Sequence, residues 1–193
     1  MMNLGGAYFD EQELRSAGFR HLGKNVKVHS RASLYGVANI SLGDNVRIDD
    51  FAIIVATGLV TIGSYIQIAN LCYLGGRHGI EIEDFSTLAP GVKLFSASDD
   101  YSGEKLTNPT VPIELTGGEK GKVILKKHVI IGANSIVLPG CIIGEGCSIG
   151  ALSVVKRSLE PWGVYAGIPV RRIKVRKRDL LSLEQQARNS SLR

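Results

Sequence analysis

The chain has 193 residues, of which 44% are hydrophobic, 21% charged and only 6% aromatic, with 23 glycines and a formal charge of +5. These proportions exclude a disordered chain and argue against a large helical core built on aromatic packing; they favour a globular fold with many tight corners. The basic balance raises three partner classes: nucleic acid, a membrane surface or a phosphorylated ligand.

The first residues, MMNLGGAYFDEQEL, contain neither a basic n-region nor an apolar h-region, so a cytoplasmic protein is expected. No apolar run approaches the roughly 20 residues of a membrane helix, so no membrane insertion is expected. A short helix is expected near Phe9, with Asp10 as N-cap and Gly18 as stop. The segment 1–20 forms this N-terminal piece.

From residue 21 the text repeats. LGKNVKV, LGDNVRI, IGSYIQI and IEDFSTL begin at Leu22, Leu42, Ile62 and Ile82. Apolar residues recur every six positions inside each unit, as in Leu42, Ile48, Ile54 and Val60. After a break the period returns at Leu125, Ile131, Val137, Ile143, Ile149 and Val155. Six fits neither a 3.6-residue helix nor a long two-residue alternation. It fits a short strand plus a turn, three of which close one coil of about 18 residues. The fold expected is an all-β solenoid, a parallel β-helix of six-residue repeats. Its coils span 21–94 and 123–175, and the earlier ones carry two extra residues at one corner. Val26, Val46, Ile66 and Val129 are expected to face inward beside the main apolar column.

Residues 95–122 break the period and are rich in Gly, Pro, Ser, Thr and Asp. A long segment that leaves and re-enters one solenoid reads as a projecting functional loop. Residues 176–193 form a basic tail, with a short helix expected around Leu180, Leu181 and Leu183. Cys72, Cys141 and Cys147 show no metal spacing and read as small core or corner residues in a reducing compartment.

The [LIV]-G-x4 pattern and the run VIIGANSIVLPGCIIGEGCSIGALSVVKRSLEPWGVYAGIPVRRIK, residues 129–174, resemble the hexapeptide-repeat acyltransferases with a left-handed β-helix. The similarity is strongest to the sugar and xenobiotic acetyltransferases, such as galactoside acetyltransferase. The loop text SASDDYSGEKLTNPTVP resembles enzymes of surface-polysaccharide (O-antigen or capsule) pathways that act on sugars or nucleotide-linked amino sugars. The resemblance implies a homotrimer with active sites between subunits and acetyl-CoA along the later coils. It implies that Ala133, Asn134, Ser135, Gly150 and Ala151 line the pantetheine channel. It implies that Lys156 and Arg157 approach the CoA phosphates, and Arg171 and Lys174 its nucleotide end. Guanidinium groups suit that task because they bond phosphate bidentately.

The resemblance also exposes a departure. Galactoside acetyltransferase relatives carry a loop His as general base, and the loop here contains none. Asp99 or Asp100 stands where that His is expected. The repeat register places position 78 one coil beneath position 98, so His78 is a second candidate base beside Asp99. Without a loop His, the acceptor expected is an amine on a nucleotide-linked sugar, which needs less help from a base. Tyr101 and Glu104 are candidate substrate contacts.

O-acetylation of a sugar hydroxyl with His78 as base remains the alternative, and a non-catalytic trimer a lesser one. A zinc carbonic anhydrase of the same fold needs clustered His ligands, and His21, His29, His78 and His128 form no such cluster. His21, His29 and His128 are expected to face solvent or a neighbouring subunit, and Trp162 to pack at the end of the solenoid. No metal site is expected. No aromatic platform interleaved with basic residues supports nucleic acid. The six cations among residues 171–178 account for the whole positive balance, so a small phosphorylated cofactor becomes the expected partner; Arg176, Lys177 and Arg178 read as a solvated tail.

Overall fold

The computed structural model describes residues 6–190. It is a parallel β-solenoid, as expected from the repeat and consistent with the left-handed β-helix that the resemblance implies. Short strands stack into three sheets of six, eight and six strands, each strand pairing with the equivalent strand of the next coil. The apolar columns follow the sequence register. One interior column runs Leu22, Leu42, Ile62, Ile82, Leu125, Ile143. A second runs Val28, Ile48, Ile68, Leu88, Ile131, Ile149 and ends at Tyr165. The third runs Leu34, Ile54, Leu74, Leu94, Val137, Val155. Nearly all of these side chains are fully buried. Burying each large aliphatic side chain contributes about 1.5–3 kcal/mol, so the stack supplies its own core without helices. Val46, Ile66 and Val129 also point inward and are buried, while Val26 in the first coil is only half-buried.

Three corners join the sheets. Corner one holds residues 23–25, 43–45, 63–65, 83–85, 126–128, 144–146 and 160–162. Here Asn25, Asn45, Tyr65, Phe85, His128 and Trp162 all adopt left-handed backbone with φ from 53° to 61°. Corner two holds residues 49–52, 69–72, 89–92, 132–135 and 150–153. Phe51, Leu71, Asn134 and Leu152 occupy the same left-handed position there. Corner three is wider in the early coils, at 36–39, 56–59 and 76–79, where the two extra residues sit. The projecting loop, 96–122, leaves from this corner. Beneath it the strands ignore the insertion, since Ile82 pairs directly with Leu125.

Helix α1 spans Glu11–Ser16. Asp10 accepts from the Glu13 amide and Glu13 reaches back to the Asp10 amide, a reciprocal cap; Gly18 follows at φ 81°. The expected helix start and stop are therefore present.

The C-terminal part differs from the expectation that coils continue to residue 175. Gly163–Gly167 continues the second sheet, but Val170–Val175 turns back and pairs with it antiparallel. Buried Leu159 and Tyr165 carry the first and second columns one step past Val155, but the strict sixfold period has ended and the chain then turns back. Helix α2, Leu180–Ser190, then folds back onto corner one. Glu184 meets His128 Nε2 at 2.8 Å, and Arg188 donates to Asp84 at 2.8 Å and to Glu184. His128 is thus buried beneath α2 instead of facing solvent. His29 is also buried, edge-on to Tyr8 at 5.3 Å, whereas His21 is exposed as expected. The tail is not merely solvated. One Nη1 of Arg176 donates to the carbonyls of His128, Gly146 and Cys147, and Arg178 lies 4.9 Å over the Trp162 ring. All three cysteines are buried in the shaft, which pushes the Cys72 and Cys141 thiols up to about 11.

Candidate active site

Corner two of the last coils gathers five expected donor-side residues. Leu152 donates to the Ala133 carbonyl at 2.8 Å, fixing one coil on the next. The fully buried Ser135 hydroxyl donates to the Gly150 carbonyl at 2.9 Å and accepts from the Ser153 amide at 3.1 Å. Ser135 therefore ties the corner from inside and is not a surface contact. Ala133, Asn134 and Ala151 stay on the outside, and their small side chains leave the corner shallow. Asn134 supplies the left-handed φ of 57° that this turn needs.

The cations form a second group. Lys156 and Arg157 are exposed at corner three of the last coil. Arg171 and Lys174 are exposed on the returning strand, opposite Ala166 and Val164. None of the four takes part in an ion pair among the described residues. Small corner residues flanked by unpaired cations fit a slender chain ending in phosphates, so the donor set suits CoA. No group of three His, Cys, Asp or Glu among the described residues is arranged to hold a metal ion.

The residues expected on the acceptor side gather around the loop. The His78 amide donates to the Ser96 hydroxyl at 2.9 Å, and that hydroxyl donates to the Gly75 carbonyl at 2.7 Å. The fully buried Ser96 thus fastens the His78 corner to the root of the loop, as the register requires. His78 and Asp99 are both exposed, but no hydrogen bond or ion pair joins them among the described residues.

Asp99 and Asp100 are in opposite states. Asp100 Oδ1 accepts from the Ser102 amide at 3.0 Å and the Ser102 hydroxyl at 2.7 Å. Its Oδ2 accepts from the Gly103 amide at 3.1 Å and the Lys105 amide at 3.0 Å. The Ser102 hydroxyl, then the amides, hold this carboxyl down at about 2. So weak a base is poorly matched to proton abstraction near neutral pH. The lone pairs of Asp100 are thus engaged within the loop tip, which they organise. Tyr101 stands 92% exposed on that tip, and Glu104 is exposed with its amide on the Ser102 hydroxyl. Ser96, Ser102 and Gly118 were not singled out by sequence reasoning. The run Asp-Tyr-Ser-Gly was the available signal for the tip, since Asp commonly accepts from amides two and three residues on.

Two clefts lie away from these groups. One, of about 290 Å3, lies between α2 and corner one and is lined by Phe85, Ile130, Leu180 and Leu183. The other, of about 720 Å3, lies over Lys126, Ile142, Glu145 and Pro161. Neither is lined by an expected site residue.

Comparison with known proteins adds what geometry alone lacks. Residues 122–157 match the family model described as bacterial transferase hexapeptide (six repeats). The chain is 44% identical over 187 residues to dTDP-4-amino-4,6-dideoxy-D-glucose acyltransferase of Escherichia coli, covering 96% of this chain and 97% of that protein. It is 32% identical over 164 residues to the putative lipopolysaccharide biosynthesis O-acetyl transferase WbbJ of E. coli K12, covering 83% and 74%. Among solved structures, AntD, an N-acyltransferase from Bacillus cereus in complex with dTDP and 3-hydroxybutyryl-CoA, superimposes with a TM-score of 0.93 at 46% identity, covering 97% and 100%. The identity, the nearly full coverage of both chains and the shared coil-and-loop design make this protein a member of the hexapeptide-repeat acyltransferases.

Proposed function

We propose that the protein transfers an acyl group from acyl-CoA to the amine of a dTDP-linked 4-amino-4,6-dideoxy sugar, in the cytoplasmic synthesis of a surface glycan. The observation that carries this reading is the end-to-end match to the E. coli and B. cereus amino-sugar acyltransferases, with the projecting loop included. The amine nitrogen attacks the thioester carbonyl carbon and a C–N bond forms. The C–S bond then breaks, and the CoA sulfur leaves as thiolate and receives the proton the amine loses. Ala133, Asn134, Gly150 and Ala151 border the pantetheine arm. Lys156, Arg157, Arg171 and Lys174 meet the phosphates. His78 and Asp99 stand on the acceptor side, with Tyr101 and Glu104 as sugar or nucleotide contacts.

The exposure of His78, Asp99, Lys156 and Arg157 on one chain supports a homotrimer in which neighbouring solenoids cover them. Phe51, Leu71 and Leu152 are 49%, 58% and 65% exposed along corner two. Bulky apolar side chains seldom take left-handed backbone without compensation, and burial against a second copy supplies it.

A thiol-release assay with acetyl-CoA and 3-hydroxybutyryl-CoA tests the function. Release is expected with dTDP-4-amino-4,6-dideoxyglucose and not with the 4-hydroxy sugar. Release with the hydroxy sugar alone would favour O-transfer. No release with either sugar, and no CoA binding, would remove the enzyme reading.

A further inference from the structure

Two neighbouring carboxylates at the loop are held in unlike ways, and the surrounding backbone explains the difference. The loop is closed at its root by antiparallel contacts. Ser98 donates to the Glu119 carbonyl at 2.9 Å, Gly121 donates to the Ser96 carbonyl at 3.0 Å, and Ala97 bridges Lys120. A second closure, Leu106 to the Leu115 carbonyl at 2.9 Å, shuts the far side. Asp99 lies where the root ends and the tip begins. On one side it meets Gly118, whose φ is 121° and where an added Cβ would come within 2.9 Å of Asp99 Cα and collide with the Ser98 carbonyl. On the other side follows Asp100, whose four accepted bonds fix the turn through Lys105. The Asp99 carboxylate itself is exposed and accepts no hydrogen bond among the described residues.

We propose that Asp100 is a positioning residue which, with Gly118, clasps the Asp99 backbone and presents the Asp99 carboxylate to the sugar amine. Asp100 never meets the reacting atoms. Its turn also lifts Tyr101 clear of the loop, so one carboxylate sets the aim of both side chains. The proposal rests on the amino-sugar reading for the identity of the amine, but the clasp itself is independent of it.

The test compares Asp99→Asn, Asp100→Asn and Asp100→Ala in the full chain. Amide hydrogen exchange reads the clasp without any substrate. Protection of the Gly103 and Lys105 amides should fall at least tenfold in Asp100→Ala, fall less in Asp100→Asn, which keeps one acceptor oxygen, and stay as in the parent in Asp99→Asn. Kinetics then read the consequence. Asp99→Asn should lower kcat about 100-fold or more, in the range of a lost acid–base group. Asp100→Asn should act chiefly through a several-fold rise in KM for the sugar nucleotide, with the pH–rate profile unchanged in shape and Asp100→Ala worse. Equal loss of kcat in Asp100→Asn and Asp100→Ala, with unchanged KM and an altered pH profile, would place Asp100 at the reaction and overturn the proposal. Undiminished amide protection in Asp100→Ala would overturn the clasp even in a protein inactive on every amino sugar. Inactivity of the parent enzyme with intact protection differences would instead count against the substrate reading alone.

Discussion

Corners one and two place residues at the same left-handed backbone position, coil after coil, yet use it in opposite ways. At corner one the side chains stack on each other. Asn25 donates to Asn45 at 2.7 Å, Tyr65 and Phe85 lie parallel at 4.5 Å, and the column continues through His128 to Trp162. Gly146 leaves the gap that the Trp162 ring fills. Helix α2 then covers the column, with the Arg188 guanidinium 4.8 Å over Phe85. At corner two Phe51, Leu71 and Leu152 are exposed, with the smaller Gly91 and Asn134 between them, and no helix among the described residues lies over them. A backbone requirement repeated along a solenoid thus dictates conformation only. Whether a corner is sealed or kept open for a ligand or another copy is decided by the side chains and by where the chain end returns.

The sharpest contrast is expected from the sealed corner. Trp162 is buried, and Trp162→Ala should cost about 3–5 kcal/mol. That corresponds to a fall in Tm of about 10 °C in a chain of this size, read by calorimetry, with KM for acyl-CoA nearly unchanged in the surviving folded protein. A drop in acyl-CoA affinity without loss of stability would mean that the covered corner also serves the ligand. At the open corner, Leu71→Asn replaces an exposed apolar side chain by one better suited to φ 60°. The fold should lose less than about 0.5 kcal/mol, while sedimentation should show dissociation toward smaller species. Retention of the parent's assembly state would show that corner two is not where copies meet.

The smallest effect concerns pH. Burial raises the Asp84 carboxyl, but the Ser64 amide and Arg188 outweigh it and leave it below the usual range. Burial likewise raises Glu184, and Arg188 and His128 bring it below. Lowered native values mean that docking of α2 is favoured above the unfolded carboxylate pKa near 4 and weakens as pH falls below it. Trp162 fluorescence should therefore change below about pH 4, before the coils unfold. A single transition shared with the far-ultraviolet circular dichroism would show that α2 and the shaft separate together.

Much of the fold was legible because an interior column recurs at fixed spacing. The column that pauses after Ile82 resumes at Leu125 on the far side of the loop, and the strand pairing joins the two. The capped helix after Asp10 carried its own local signal. The return of α2 was not legible, since Arg188 meets Asp84 and Glu184 meets His128 across long stretches of chain that no period connects. Arg176 misled for a related reason. A cation in a basic run looks solvated until the carbonyls of His128, Gly146 and Cys147 converge on it. At the loop, the acidic pair was visible as a pair, but which carboxylate is tied into the tip depends on which one faces the Ser102 and Gly103 amides.

The direct pairing of Ile82 with Leu125 has an evolutionary consequence. The shaft is continuous under the loop, so residues 96–122 behave as an insertion into a corner that residues 56–59 span in an earlier coil. Lengthening such a segment costs little, about 0.6 kcal/mol for each doubling. The excursion can therefore be exchanged for one of another length or sequence while the strand pairing beneath it is inherited unaltered.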